Sequence, residues 1–247
     1  MNSHNYISSF HGGHSGEFCL HAEGTLEQVI QAAIAKNISH YGLSEHAPRY
    51  SPLHFYDYEL EKKIEVSDLE NYFEQYAKTA FLLKEKYVNE IHLVIGLEAE
   101  YFPGQSHQMQ KLRSKYQFDY MVGSVHFIDD VAIDFNEDLL VGLIHKYQSI
   151  ENLSLRYFEY VHSMIQELQP EVVAHLDLIK KFGLSLGYEE TPKLKKLILE
   201  ILHTIKKNNL ILDFNFSQPR KGRNFYYPSP WILQQLSLIH ISEPTRL

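Results

Sequence analysis

The stretch IHLVIGLEAEY, residues 91–101, places the acidic residue Glu98 directly after an apolar run of strand length. An ionised carboxylate that follows a buried strand must be paired or bound to a metal ion, because burial alone would strip it of water. Five other strand-sized apolar runs punctuate the chain: 7–10, SHYGLSE (39–45), FDYMVGSVH (118–126), EVVAHLD (171–177) and LILDFNF (210–216).

Helical patterns separate these runs. TLEQVIQAAIAKN (25–37) opens with Thr25 and Gln28 at capping-box spacing, and its apolar residues recur at helical intervals. Similar stripes run through 66–88, 151–169 and 192–209. The alternation predicts an α/β fold of β/α units around a buried parallel sheet. Because no repeat or Pro/Gly/Ser-rich linker interrupts it, we expect one continuous domain.

Composition narrows the function classes. The 247 residues are 44% hydrophobic and carry a formal net charge of −8. This charge argues against nucleic acid or an anionic membrane as the main partner and favours a small-molecule substrate. A single cysteine, no apolar run of membrane-spanning length and no signal peptide favour a cytoplasmic protein.

Polar residues cluster where the predicted strands end. Parallel α/β sheets gather their active-site residues at the carboxyl ends of the strands, so these side chains are expected to converge. They are His11 and His14, Glu45 and His46, Glu98 and Glu100, His126, His175 and Asp177, and Asp213 and Asn215. One histidine at a strand end is more often structural than a ligand, but recurrence over several strand ends favours a metal site. The remaining histidines outside the first loop are interpreted as structural or solvated: His4, His40, His54, His92, His107, His145, His162, His203 and His240.

Six motifs, in order, resemble those of the PHP (polymerase and histidinol phosphatase) superfamily, with spacing closest to the histidinol-phosphate phosphatases. They are HSGEFCLHAEGTLEQVIQAA, LSEHAPR, IGLEAEY, VGSVHF, AHLDLIKKFG and LDFNFSQPRKG...YYPS. The resemblance implies a distorted TIM-like (β/α)7 barrel, up to three divalent metal ions (zinc, iron or manganese), and hydrolysis of a phosphate monoester such as histidinol phosphate in histidine biosynthesis.

The same resemblance implies a role for each matching residue. His11 and His14 would bind one metal together with Glu98, and His21 and His46 would hold a third. Glu98 would also reach a second metal with His126 and His175, which makes these three the expected catalytic centre.

The first loop departs from the family pattern. The family has His-x-His, whereas this chain has His11-Gly-Gly-His14, and an i, i+3 pair can reach one ion only if the backbone bulges at Gly12 and Gly13. His14 therefore matches the pattern better than His11. Cys19, between Phe18 and Leu20, is interpreted as a packing residue, with thiolate ligation as the alternative.

Substrate-binding residues are predicted on three loops. Arg220 matches a basic position of the family and would bind phosphate oxygens through two parallel hydrogen bonds. Lys221, Arg49 and Asn215 are further candidates, with solvated loop charges as the alternative interpretation for Lys221 and Arg49. The acidic residues Glu45, Glu100 and Asp177 would orient metal-bound histidines or receive the substrate's ammonium group.

The end of the chain lacks the family's last motif. Residues 237–246, SLIHISEPTR, resemble the translation of a sequencing-library adapter, and no Gly-Ser-Asp-x-His sequence follows the sixth strand. We therefore expect a phosphatase domain at 1–236 without its last β/α unit, and a non-native tail at 237–247.

Two alternative functions remain open. A PHP-type phosphodiesterase, nuclease or nucleotide phosphatase would use the same metals on another ester. A non-catalytic relative would bind metals that its own side chains saturate. The sequence leaves the oligomeric state open.

Overall fold

A computed structural model describes residues 7–239 of the chain. The residues fall into two compact units that meet in sequence at Val122–Gly123, and each is described by itself. Of the features predicted from the sequence, His4, His240 and residues 240–247 of the predicted tail lie outside the described residues. The single domain stays a prediction.

The first unit alternates strands with helices. Its strands are β1 (Ser8–Ser9), β2 (His40–His46), β3 (His92–Glu100) and the beginning of β4 (Tyr120–Ser124). Its helices are α1 (Leu26–Ala35), α2 (Asp57–Glu61), α3 (Val66–Lys86) and α4 (Ser106–Tyr116), with a 3-10 turn at Pro52–His54.

The register of the first unit sets the ends of β2 and β3 side by side. β1 pairs with β2 and β2 with β3, both in parallel, and His46 lies opposite Glu98. The backbone N–H of Asp119 donates to the carbonyl of Ile95 at 2.7 Å, which brings the chain entering β4 alongside β3. Two predicted site residues from distant parts of the sequence are thus neighbours.

Helices α1 and α3 form as their patterns predict. The capping box at Thr25 and Gln28 is present, with both hydrogen bonds made, and residues 66–86 bury the predicted stripe. Tyr76 of α3 is fully buried, and its hydroxyl donates to the carbonyls of both Leu43 and Gly96 at 2.8 Å. The hydroxyl therefore joins helix α3 to strands β2 and β3 just before the strand ends that carry the site residues.

The ring of Tyr120 occupies a gap left by two glycines. A Cβ atom on Gly96 would lie 2.5 Å from Cε1 of Tyr120, and one on Gly42 would lie 2.8 Å from Cζ. Only glycine on both strands lets the ring lie this close to the backbone, where the side chain is buried.

The second unit carries the end of β4 and most of the long helices. Its strands are β5 (Phe127–Ile128), β6 (Val131–Ala132), β7 (Val172–Val173) and β8 (Ile211–Leu212). Its helices are α5 (Glu137–Tyr147), α6 (Ile150–Leu168), α7 (Lys180–Gly183), α8 (Pro192–Lys207), α9 (Ser217–Arg220) and α10 (Pro230–Ile239).

The core of the second unit forms around α6, which packs against α5 and α8. β7 and β8 are parallel, and Ala174 N donates to Gly123 O at 3.0 Å at the end of β4. All six predicted strands and the α/β class are confirmed, whereas the antiparallel hairpin of β5 and β6 was not predicted. Among the described residues, no helix combines the length and apolar character needed to cross a bilayer.

Candidate metal centre

The loop after β1 delivers two histidines to one carboxylate. Gly13 has a φ of +82°, a conformation that favours glycine, and a Cβ there would lie 3.1 Å from Cα of Leu43. The side chain of Ser44 holds the loop by accepting from Gly12 N at 3.2 Å and donating to Gly12 O at 3.0 Å. The Gly-Gly turn thus lets both His11 and His14 approach the end of β3.

Glu98 lies at the centre of three imidazoles. Its carboxylate is 2% exposed, with Oε1 3.3 Å from Nε2 of His11 and Oε2 3.3 Å from Nε2 of His14. Nδ1 of His46 is 3.2 Å from the same Oε2. The ligand atoms of His11, His14 and Glu98 lie within 4.8 Å of one another. The structure therefore brings together the residues predicted to share one metal ion.

Glu45 forms hydrogen bonds that hold His14 and His46 in place. Its buried carboxylate accepts hydrogen bonds from Nδ1 of His14 at 3.1 Å, from Ser15 N at 3.2 Å and from His46 N at 3.0 Å. A hydrogen bond from Nδ1 fixes the ring orientation and leaves Nε2 of His14 facing Glu98. Glu45 thus orients a predicted ligand, as the sequence analysis expected.

His14 and Glu98 each favour the charged form of the other. Burial alone would lower the pKa of His14, but hydrogen bonds and the negative charges of Glu45 and Glu98 outweigh it and raise the pKa from 6.5 to about 9. Burial alone would raise the pKa of Glu98, but the charges of His46 and His11 hold that pKa well below its usual range. The two buried carboxylates thus stabilise positive charge at this place, either on an imidazole or on a bound cation.

A second group of donors adjoins the first. Cys19, His21 and His46 offer ligand atoms within 4.8 Å of one another. Sγ of Cys19 is 3.0 Å from Nδ1 of His21, and Nε2 of His21 is 3.3 Å from Nε2 of His46. Burial, with the charge of Glu45, raises the pKa of the Cys19 thiol to about 12. His46 therefore lies between the two donor groups.

The donor chemistry of both groups fits divalent transition-metal ions. Neutral imidazole is the commonest nitrogen ligand for zinc, iron and related ions, and a carboxylate adds charge neutralisation. An isolated buried carboxylate would be expensive, whereas one shared among imidazoles and cations is not. The residues present therefore fit the metal ions that the sequence motifs imply.

In the second unit, His126 and His175 lie next to each other. Both are 7% exposed, and their ring centroids are 4.9 Å apart. His126 follows β4 and His175 follows β7, at the carboxyl ends of their strands. The pairing of these two imidazoles was predicted, and the sharing of Glu98 with them stays a prediction.

The predicted substrate-binding residues have different surroundings. Arg49 is not a solvated charge, because it is 9% exposed, forms an ion pair with Glu59 and has its guanidinium 5.1 Å from the ring centre of Tyr56. Arg220 and Lys221 are exposed at the end of α9.

Two other polar residues predicted for the site are held by the fold of the second unit. Asn215 exchanges backbone hydrogen bonds with Tyr227 and accepts from Ser217 N through its side chain. Asp177 is fully buried, and its Oδ2 accepts from Lys180 Nζ at 2.7 Å and from Ser229 N at 2.8 Å. The ammonium group of Lys180 thus binds the Asp177 carboxylate, for which the substrate's ammonium group was one predicted partner.

Two residues of the first unit that lie near the site were not predicted from the sequence. The hydroxyl of Tyr58 lies 3.3 Å from Nδ1 of His21, and buried Glu59 balances Arg49. Both belong to α2, a short helix between β2 and α3. The opposite charges of Arg49 and Glu59 were the available signal for the ion pair, whereas nothing local marked Tyr58.

The sequence and the fold of the chain resemble those of known proteins. Residues 13–217 match the PHP domain family. The chain is 37% identical over 227 residues to the "Probable histidinol-phosphatase" of Schizosaccharomyces pombe, covering 90% of this chain and 73% of that protein. HisK from Listeria monocytogenes has a crystal structure that superposes with a TM-score of 0.77 at 26% identity, covering 95% of this chain and 90% of the other. This likeness confirms the predicted fold class.

A more distant structure shows the same fold. Histidinol phosphate phosphatase (HisK) from Lactococcus lactis, solved in complex with zinc, L-histidinol and phosphate, matches with a TM-score of 0.57 at 18% identity, covering 85% of this chain and 71% of the other.

Proposed function

We propose that this chain, which belongs to the PHP domain family, removes phosphate from L-histidinol phosphate with the help of bound divalent metal ions. The observation that carries the proposal is the buried Glu98 carboxylate, which three imidazoles approach within 3.3 Å at the ends of adjacent strands. The name of the S. pombe relative, a probable histidinol-phosphatase, and the ligands of the L. lactis structure indicate the substrate.

Each predicted ligand has a place in this proposal. His11, His14 and Glu98 would hold one ion, and His21 and His46 another. His126 and His175 would hold a further ion, with the predicted participation of Glu98. Zinc is the first candidate because imidazole suits it and the L. lactis protein binds it, with iron and manganese as the others.

Bound divalent ions would neutralise phosphoryl oxygens and make water a stronger nucleophile near neutral pH. The chain's own groups do the positioning. Glu45 fixes the His14 ring, and Ser44 fixes the loop that carries it. Arg49, Arg220 and Lys221 are proposed to bind phosphate oxygens, and Arg49 is already oriented by its ion pair with Glu59. We place the enzyme in the cytoplasm, with a small phosphate ester as substrate.

The test compares the hydrolysis of several substrates and measures the effect of removing the charge of Glu98. Phosphate release from histidinol phosphate is measured beside nucleotides and single-stranded DNA, before and after removal of metal by a chelator. We expect release from histidinol phosphate alone, loss with the chelator, and recovery on adding zinc or manganese. Faster hydrolysis of nucleotides or DNA would favour the phosphodiesterase, nuclease or nucleotide phosphatase alternative.

The matched variants are Glu98→Gln and Glu74→Gln, since Glu74 lies on the outer face of α3 beside Lys78. Glu98→Gln is expected to lower both the metal content and the rate of phosphate release by at least about a hundredfold, because it removes a negative charge from a buried site. Glu74→Gln should change neither. Metal-independent turnover, or full activity of Glu98→Gln, would refute the proposal, and bound metal without turnover of any ester would favour the non-catalytic relative.

A further inference from the structure

We infer that Cys19 is a thiolate ligand and that, with His21 and His46, it forms a site selective for a borderline or soft divalent cation such as zinc, cobalt or iron(II). This inference rests on the proposed function, in which His21 and His46 already hold an ion. It differs from the expectation that Cys19 is a packing residue.

The spacing of the three donors suits a single small cation. Tetrahedral ligands at 2.0–2.3 Å from zinc are roughly 3.3–3.8 Å from one another. Here the sulfur is 3.0 and 3.3 Å from the two ring nitrogens of His21, whose Nε2 is 3.3 Å from Nε2 of His46. One ligand atom of each residue lies within 4.8 Å of the other two.

The backbone presents Cys19 and His21 from one tight turn. Cys19 N donates to Ser15 O at 2.9 Å, and Ala22 N donates to Cys19 O at 3.2 Å. Ser15 N in turn donates to Glu45, which also holds His14. The thiol position is therefore fixed by the same hydrogen-bond network that fixes a ligand of the neighbouring ion.

The surroundings of the thiol are polar on one side and apolar on the other. Cys19 is 8% exposed and lines a small cavity of about 30 Å³ together with His21, His46, Arg49 and Tyr58. That volume holds a water molecule or a single ion. Phe18 and Leu20 line the apolar side of the cavity, whereas the sulfur itself lies beside the imidazole of His21, at a distance that suits two ligands of one ion.

Coordination would replace the thiol proton. The S–H bond breaks, the proton leaves to solvent, and the sulfur lone pair forms the bond to the cation. Because thiolate is a soft ligand, this site should prefer zinc, cobalt or iron(II) over manganese or magnesium. The group of His11, His14 and Glu98 has no sulfur and should discriminate less.

Cobalt(II) provides the test, because thiolate-to-cobalt charge transfer absorbs in the near ultraviolet and Cys19 is the single cysteine of the chain. The metal-free full-length protein is titrated with cobalt alone. We expect a charge-transfer band that saturates with one equivalent, beside the visible bands of cobalt bound to nitrogen and oxygen. Cys19→Ser should abolish the charge-transfer band. It should also weaken the affinity for one equivalent of cobalt by at least about tenfold, because loss of a group that only hydrogen-bonds to a metal ligand already costs that much.

His40→Gln is the control, since His40 begins β2 at the opposite end from His46, and it should keep the band. Visible cobalt bands and phosphatase activity without any charge-transfer band in the wild-type protein would overturn the role of Cys19 and leave the proposed function standing. No cobalt binding at all would refute both. The wild-type spectrum decides the question even if Cys19→Ser fails to fold.

Discussion

Replacing Gly13 by alanine should damage the histidine loop in a way that can be separated from ordinary backbone strain. At a φ of +82°, any L side chain is strained, at about 1–2 kcal/mol. The new Cβ would also lie 2.9 Å from Cδ2 and 3.1 Å from Cα of Leu43. Relief requires movement of the backbone, so overpacking adds about 1–3 kcal/mol. The total cost is about 2–5 kcal/mol.

Gly104 is the matched control. Its φ is +78°, but a Cβ there would meet nothing within 4 Å. Gly104→Ala should therefore cost only the strain of about 1–2 kcal/mol and leave bound metal unchanged. Gly13→Ala should lose more stability and also bound metal, because the clash moves His14 away from Glu98.

Urea unfolding gives the free energies of unfolding of the two variants, and elemental analysis gives their metal content. The difference between the variants isolates the clash at the histidine loop. Equal destabilisation of the two variants, or a full complement of metal in Gly13→Ala, would refute the argument that this glycine sets the position of His14.

Three further outcomes are expected. Glu45→Gln should lower the pKa of His14 from about 9, because it removes a hydrogen-bonded negative charge, and an NMR titration of the metal-free protein that finds no change would contradict this. The stabilisation that His14 gives the metal-free protein should be complete below pH 6.5 and lost as pH rises to about 9, since its folded pKa exceeds the unfolded value; urea midpoints that stay flat across that window would disagree. Thr25→Ala should cost about 1 kcal/mol of unfolding free energy through loss of the helix cap while phosphate release stays at the wild-type level, as denaturation and activity assays can check.

Long elements were predictable because their patterns are local. Helix α3 repeats buried residues over about three turns, from Phe73 to Leu83, and the capping box of α1 is a four-residue signal. Strand ladders were harder to delimit: the run 171–177 keeps only Val172–Val173 in the sheet, since the chain turns after β7 to present His175. Apolar character marks a strand, but pairing decides where it ends.

The β5–β6 hairpin has a local sequence signal in its turn. Asp129 and Asp130 both have positive φ, of 48° and 65°, and aspartate tolerates this conformation in tight hairpin turns. The carboxylate of Asp129 also accepts from the hydroxyls of Tyr147 and Tyr160 at 2.6 and 3.0 Å. These distant partners could not be read from the local sequence.

The candidate site also contains residues that the sequence pattern predicts and residues that it does not. His14, His46 and Glu98 were predicted to converge because each lies at or after the carboxyl end of a strand, and a parallel sheet brings such ends together. Tyr58 and the donor role of Cys19 depend on how a loop folds back, which no periodic pattern encodes. His54 shows the converse, because it is 2% exposed and stacks on Phe102 at 3.6 Å, so it serves packing and not ligation.

The Tyr120 ring links the residues that can be accepted at positions 42, 96 and 120. A methyl group added at either Gly42 or Gly96 would expel the ring, and a smaller residue at 120 would leave a void beside the backbone of two strands. A change at either glycine therefore requires a change at position 120, and relatives that lack the tyrosine should also have lost at least one of these glycines.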